Sequence, residues 1–192
     1  MQVVAAPAFD LPGCDGISYC SFIVVPQHGA RDLEALRGTV AAINQDHSQS
    51  GMNALRHTVA PMARSGRFFA GVEVSGSHLG SLEMLQSGRA DVAAIDCATY
   101  GLVQRHAPHR VAGLRVLQQS VAAPALPLIA SRALTAPQLE DLRAVLLALP
   151  QQAPQVLAAV SVREFRPVTL KDYQPIVDQI RFAAECGYSV LA

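Results

Sequence analysis

Short apolar runs alternate with helix-periodic stretches along most of the chain, the pattern of an α/β protein. Val3-Val4-Ala5-Ala6 opens as a strand that Pro7 should break, and residues 10–16, rich in Gly, Pro and Asp, form a loop. Residues 21–25 make a second strand closed by Pro26. A helical turn at 32–38, ended by Gly38, feeds the apolar strand 39–43. Met52, Leu55, Val59 and Met62 then recur on one helical face. The strand Val72-Glu73-Val74 passes through Ser75-Gly76-Ser77-His78 into a helix that should turn Leu79, Leu82 and Leu85 inward and stop at Gly88. Strands at 90–96 and 114–117 follow, then an extended crossing segment at 124–130 whose prolines limit ladder pairing. Thr135 caps a helix with Pro137 in its first turn and Leu139, Leu142, Leu146 and Leu149 along one face. A last helix, from about Tyr173 to Glu185, carries Ile176, Val177, Ile180 and Ala184 as its apolar positions. There is no internal repeat and no low-complexity tract.

Composition narrows the function classes. The 192 residues are 51% apolar and 16% charged with no Trp, enough to bury a core as one domain or two small lobes. Fifteen basic and fifteen acidic residues cancel, and Lys171 is the sole lysine. Without a basic cluster or aromatic-basic interleaving, nucleic acid is not an expected partner. The first residues lack the basic and apolar regions of a secretory signal, and no run approaches the roughly 18 apolar residues that span a bilayer. Cys14, Cys20, Cys97 and Cys186 have no CxxC spacing, which argues against zinc or thioredoxin-like chemistry. Cys14 and Cys20 could pair in an oxidising compartment, with free buried thiols the plainer alternative. No cofactor or metal is expected.

The polar residues of interest sit where strands hand over to helices. Asp46-His47-Ser48-Gln49-Ser50-Gly51 puts hydroxyls and free N–H groups at a positive helix end, a ready site for a small anion. His78 opens the next helix, and Asp96 closes the strand that follows. In open α/β sheets such positions converge beyond the carboxyl ends of the strands. Each has a plainer alternative. Ser48 or Ser50 caps its helix, His78 is a solvated first-turn residue, and Asp96 caps the segment after it. Asp91 fixes the turn into its strand, and His28, His47, His57, His106 and His109 belong on the surface. Ser, His and Asp together raise serine chemistry, but the Gly-x-Ser-x-Gly elbow is absent. An anion receptor needs the same set, with protonated His as counter-charge and Asp as acceptor.

The order of these features resembles a family. Asp32-Leu33-x-x-Leu36-Arg37-Gly38-x-Val40-Ala41, then Ser48-x-Ser50-Gly51, then Gly76-Ser77-His78, then Gly88-Arg89-Ala90-Asp91-Val92-Ala93-Ala94-Ile95-Asp96 are similar to the phosphate/phosphonate substrate-binding proteins of ABC transporters. These belong to the type II periplasmic-binding superfamily. The resemblance runs from about Val3 to Leu149, with Tyr173 and Gly187-Tyr188 fitting beyond it. It implies a hinged, non-enzymatic, periplasmic receptor that closes on an oxyanion and serves an ABC permease. Ser48, Gln49, Ser50 and Gly51 would supply hydroxyls and N–H groups, His78 a further contact, Asp96 the acidic contact, and Tyr19 a wall near the hinge. One Rossmann-like lobe, residues 18–119, looks complete, while residues 1–17 and 120–192 make only part of the other. The family opens with a leader and two or three βα units that have no counterpart here. The expectation is therefore either a fragment or truncated homologue, cytoplasmic if this is the whole native product, or a chain that pairs with something that completes it. An incomplete lobe would favour self-association. The rival readings are a sensor or serine-dependent hydrolase on the same scaffold, or a homologue that no longer binds.

Overall fold

The computed structural model describes residues 1–192. Strand β1 (Gln2–Phe9) is followed by two short strands, β2 (Cys14–Asp15) and β3 (Ser18–Tyr19), and by β4 (Ser21–Pro26). Then come β5 (Val40–Ile43), α1 (Ala54–Val59), β6 (Gly71–Val74), α2 (His78–Gln86), β7 (Val92–Asp96), α3 (Cys97–His106) and β8 (Leu114–Gln119). The chain ends with β9 (Ala123–Pro124), β10 (Leu128–Ala130), α4 (Ala136–Gln152), α5 (Pro154–Ala159), β11 (Val162–Pro167) and α6 (Gln174–Glu185).

The largest sheet has five strands in the order β6-β5-β7-β4-β8. Strands β6, β5 and β7 are parallel, with α1 and α2 supplying the crossovers that parallel neighbours need. Strand β4 enters between β7 and β8 antiparallel to both, so the sheet is mixed. Its buried strands send alternate residues to opposite faces. Ile23, Val25, Val92 and Ala94 pack on α1 and the α6 end of the chain, with Leu55, Val59, Ala183 and Tyr188. Phe22, Val24, Ala93 and Ile95 pack on α2 and α3, with Leu82, Leu85 and Tyr100. Phe22 meets Tyr100 edge to face at 5.5 Å.

A second sheet, β10-β1-β11, is antiparallel and carries α4 on one face through Val4, Ala5 and Leu139. A third, β2-β3-β9, joins the segments that run between the other two.

Four expectations change. Pro7 does not break β1 but pairs with Phe165 of β11. It lies past the last β1–β10 pair, where the strand is paired on one side only and a missing N–H is tolerated. Leu79 is exposed, and Met84 takes the inward place beside Leu82 and Leu85. In α4, Leu139 is buried but Leu142 faces solvent. In α6 the inward line is half-buried Ile176 with buried Gln179 and Ala183, at three- and four-residue spacing, while Val177, Ile180 and Ala184 are exposed. A polar Gln on the inner face hid that register from a reading by hydrophobicity alone.

Candidate functional site

Because β6, β5 and β7 are parallel neighbours, their carboxyl ends share one edge of the sheet. Each strand there turns directly into a helix, and each turn is capped by its own side chain. Ser48 Oγ accepts from Gly51 N at 3.0 Å, Ser77 Oγ from Gly80 N at 3.0 Å, and Asp96 Oδ1 from Thr99 N at 2.8 Å. Caps of this kind contribute about 1 kcal/mol each. The capping roles considered for Ser48 and Asp96 are therefore real. The turn before α2 is capped by Ser77, and His78 is the first residue of that helix.

The turn after Ser48 is not α-helical. Residues Gln49–Asn53 form one π turn, with Asn53 N donating to Ser48 O and Ala54 N to Gln49 O. Such widened turns recur at functional sites. Gly51 lets it lie against the end of β5: a β-carbon there would stand 1.8 Å from Asn44 Oδ1. Further along, Arg56 donates to Asn53 Oδ1 at 2.7 Å and to the Ser189 carbonyl, fixing α1 to the chain terminus.

The corner after β6 is stitched onto the corner after β5. Ser75 N and Oγ donate to Ile43 O at 2.8 and 3.1 Å, and Gly76 N donates to Asn44 O at 3.1 Å. This places His78 Nε2 2.8 Å from Ser50 Oγ. Tyr19 reaches the same place from β3. Burial and the Asp96 carboxylate raise its phenol above the ordinary range, partly offset by hydrogen bonding with the Ser50 side chain. Ser50, Tyr19 and Asp96 are 7%, 3% and 7% exposed, so the group is closely packed. Five surface cavities of the molecule lie away from these side chains.

The electrostatics correct one expectation. Burial lowers the His78 pKa to about 4, so the imidazole is neutral near pH 7 and is not a standing counter-charge. Its Nδ1 is buried without a partner. Burial also raises Asp96, against the hydrogen bonds from Thr99 and Ala98. Positive potential at this corner comes instead from helix amino termini.

Gln49 points away from the Ser50–His78 pair. Its Oε1 accepts from Asn53 Nδ2 at 2.6 Å and its Nε2 donates to Gln179 Oε1 at 2.8 Å. Gln179 in turn donates to Ala122 O at 3.1 Å, tying the π turn to α6 and to the crossing segment. Only the backbone of Gln49 is left to face a ligand. Sequence reading missed Ser75, Asn53 and Gln179, although the Ser75-x-Ser77 spacing was a signal for the first. Asp91 does anchor its turn, Oδ2 accepting from Val40 N at 2.9 Å. His57 is half-buried against Phe182 at 4.8 Å rather than a surface residue, whereas His28, His47, His106 and His109 are exposed. No group of three or more His, Cys, Asp or Glu side chains surrounds a point that a metal ion could occupy. No helix is long and apolar enough to cross a membrane.

Residues 11–173 match the family model described as ABC transporter, phosphonate, periplasmic substrate-binding protein. The chain belongs to this family. The phosphonate-binding family is one of solute-binding, periplasmic proteins. Solved structures agree on the periplasmic-binding-protein fold. A binding protein component of an ABC phosphonate transporter from Pseudomonas aeruginosa is 18% identical with a TM-score of 0.80, over 97% of this chain and 63% of that one. PhnD1 from Prochlorococcus marinus, in complex with methylphosphonate, is 18% identical with a TM-score of 0.79, over 94% of this chain and 70% of that one. A Xanthomonas citri protein bound to ATP is 17% identical with a TM-score of 0.67, over 95% and 72%. A search of curated protein sequences finds no match.

Proposed function

We propose that the chain is the solute-binding part of a phosphate- or phosphonate-type ABC transporter, periplasmic and non-enzymatic, that passes a small oxyanion to a permease. The observation that carries this reading is the 2.8 Å contact between Ser50 Oγ and His78 Nε2 at the shared carboxyl edge of three parallel strands. Two helix amino termini open there, and their first N–H groups have no intrahelical acceptor. An arriving oxyanion takes the Ser50 hydroxyl hydrogen and N–H groups of the π turn. It draws a proton onto His78, whose depressed pKa rises once a negative charge replaces water beside it. Tyr19 and Asp96 complete the wall, Asp96 accepting a hydroxyl or amino group of the solute. Residues 18–119 form the lobe that holds the anion, residues 1–17 with 120–167 belong to the opposing lobe, and α6 with the chain end returns to pack on the first. The methylphosphonate held by the Prochlorococcus relative supports the ligand class.

Calorimetric titration with methylphosphonate and with inorganic phosphate tests the reading. Ser50→Ala and His78→Ala should each weaken binding by roughly tenfold or more, the loss of a hydrogen bond to a charged group. Wild-type protein that binds neither anion, or variants that bind as tightly as wild type, would overturn the assignment.

The same Ser–His contact favours one other reading, serine-dependent hydrolysis. A triad needs a carboxylate on His Nδ1 to orient the ring and stabilise its cation. Here Nδ1 has no partner and Asp96 is engaged by Thr99 N. Turnover of p-nitrophenyl acetate that disappears in Ser50→Ala would replace the binding assignment.

A further inference from the structure

Three sulfurs meet just behind the corner that holds Tyr19 and Asp96. Cys14 lies in β2, Cys20 between β3 and β4, and Cys97 is the first residue of α3. Cys14 Sγ and Cys97 Sγ are 3.3 Å apart although 83 positions separate them in sequence. Cys97 N donates to Cys20 O at 3.1 Å, which holds the third thiol beside them. Gly13 closes over the group. A β-carbon at Gly13 would stand 2.9 Å from Cys20 Sγ and from Cys97 Cβ, and its φ of +88° also favours glycine. The cluster is therefore tightly roofed. Cys20 and Cys97 are buried, and Cys14 is half-buried, the most exposed of the three residues. All four thiols are free, and Cys14 contacts Cys97 rather than pairing with Cys20.

We propose that Cys14 and Cys97 are a covalent modification site, forming a reversible disulfide within the folded protein. The link would fasten β2 to the amino terminus of α3. Hydrogen bonding inside the cluster gathers negative charge on one sulfur. The Cys14 and Cys20 thiols both donate to the Cys97 sulfur, which lowers its pKa and raises theirs. A small disulfide such as oxidised glutathione serves as oxidant. Cys14 passes its proton to the Cys97 sulfur as it attacks, the reagent's S–S bond breaks, and one glutathione thiolate leaves and takes up a proton from water. Cys97 then gives up its proton and attacks the Cys14 sulfur, expelling the second glutathione. One protein thiol and one protein thiolate become the disulfide, the single protein hydrogen and one proton from water end on the two glutathione thiols, and the reagent's S–S bond is the one that breaks. Cys20 remains a thiol. Tyr19 and Asp96 each precede a member of the cluster, so the bond would pin backbone beneath the candidate anion site. The proposal does not depend on what that site binds.

The folded chain is incubated with oxidised glutathione, quenched with an alkylating agent, digested and mapped by mass spectrometry. The expected product is a peptide joining Cys14 to Cys97, with Cys20 and Cys186 alkylated. The link should persist in Cys20→Ser, vanish in Cys14→Ser, and be undone by dithiothreitol. It should raise the melting midpoint by roughly 5 °C or more, since it closes a long loop. The half-buried Cys14 position makes Cys14→Ser the safer variant, and its midpoint in reductant should equal that of the reduced wild type. Full alkylation of both Cys14 and Cys97 after incubation, or a link between any other pair, overturns the proposal.

Discussion

Gly51 and the Asn44 side chain compete for one volume, and the π turn exists because glycine yields it. Gly51→Ala puts a methyl group 1.8 Å from Asn44 Oδ1, a clash that should cost about 1–3 kcal/mol in urea unfolding. Asn44→Ala in the same chain should recover most of that loss. An unchanged denaturation midpoint for Gly51→Ala would show that the corner is looser than its packing implies. His78 carries a pH signature. Its folded pKa of about 4 lies below the ordinary 6.5, so between those values the unfolded chain binds the proton more readily. The contribution of His78 is full above pH 6.5 and is lost as pH falls toward 4, by at most about 3 kcal/mol. Asp96 acts the other way, because a raised carboxyl pKa adds stability on acidification. The comparison that isolates His78 is wild type against His78→Gln. Wild type should lose stability more steeply across that window, and parallel curves would rule out a buried neutral imidazole. The caps at Ser48 and Asp96 were legible in sequence because a cap is local. The charge state of His78 was not, since burial comes from elements distant in the chain.

At the scale of elements, most strands and helices announced themselves by period, and the register of α6 was misread because one polar residue sits inside. Gln179 is the clearest case. It is 6% exposed on the inner face of α6 and bonds both Gln49 and Ala122 O. Those bonds are what aligns α6 with the π turn, so a purely apolar reading chose the wrong stripe. Gln179→Ala removes two hydrogen bonds and leaves the Gln49 amide without its acceptor, a loss of about 1–3 kcal/mol. Amide hydrogen exchange should then quicken in α6 and in the turn at Gln49–Asn53 while the β4 and β7 amides keep their protection. Uniform protection in all of them would mean the glutamine pair is incidental. Pro7 makes the complementary point. A proline inside an apolar run reads as a stop, yet it is accommodated where only one neighbouring strand needs the backbone.

For the whole molecule, the contrast between sheets decides behaviour. The five-stranded sheet is covered on both faces, whereas β10 forms an edge of the smaller sheet with Leu128 and Ile129 exposed. Leu126, Leu142 and Val145 add exposed apolar surface on the β10 approach and on α4. An open edge of this kind invites pairing with another chain. Sedimentation velocity should therefore show mass growing with concentration in the micromolar range and beyond. A single monomeric species at every loading would contradict it.

Local chemistry settles a good deal from sequence alone. Hydrophobic period marks the elements, Ser and Asp before helices mark the caps, and the ordered motifs from Asp32 to Asp96 mark the family. Each depends on residues that are near neighbours along the chain. Tertiary structure decided everything that depends on distance through space. It brought Ser50 to His78 across 28 positions and Gln49 to Gln179 across 130. It set Cys14 against Cys97 and buried an imidazole deeply enough to strip its charge. Strand order and sheet direction control those meetings, and neither is written in any single stretch of residues.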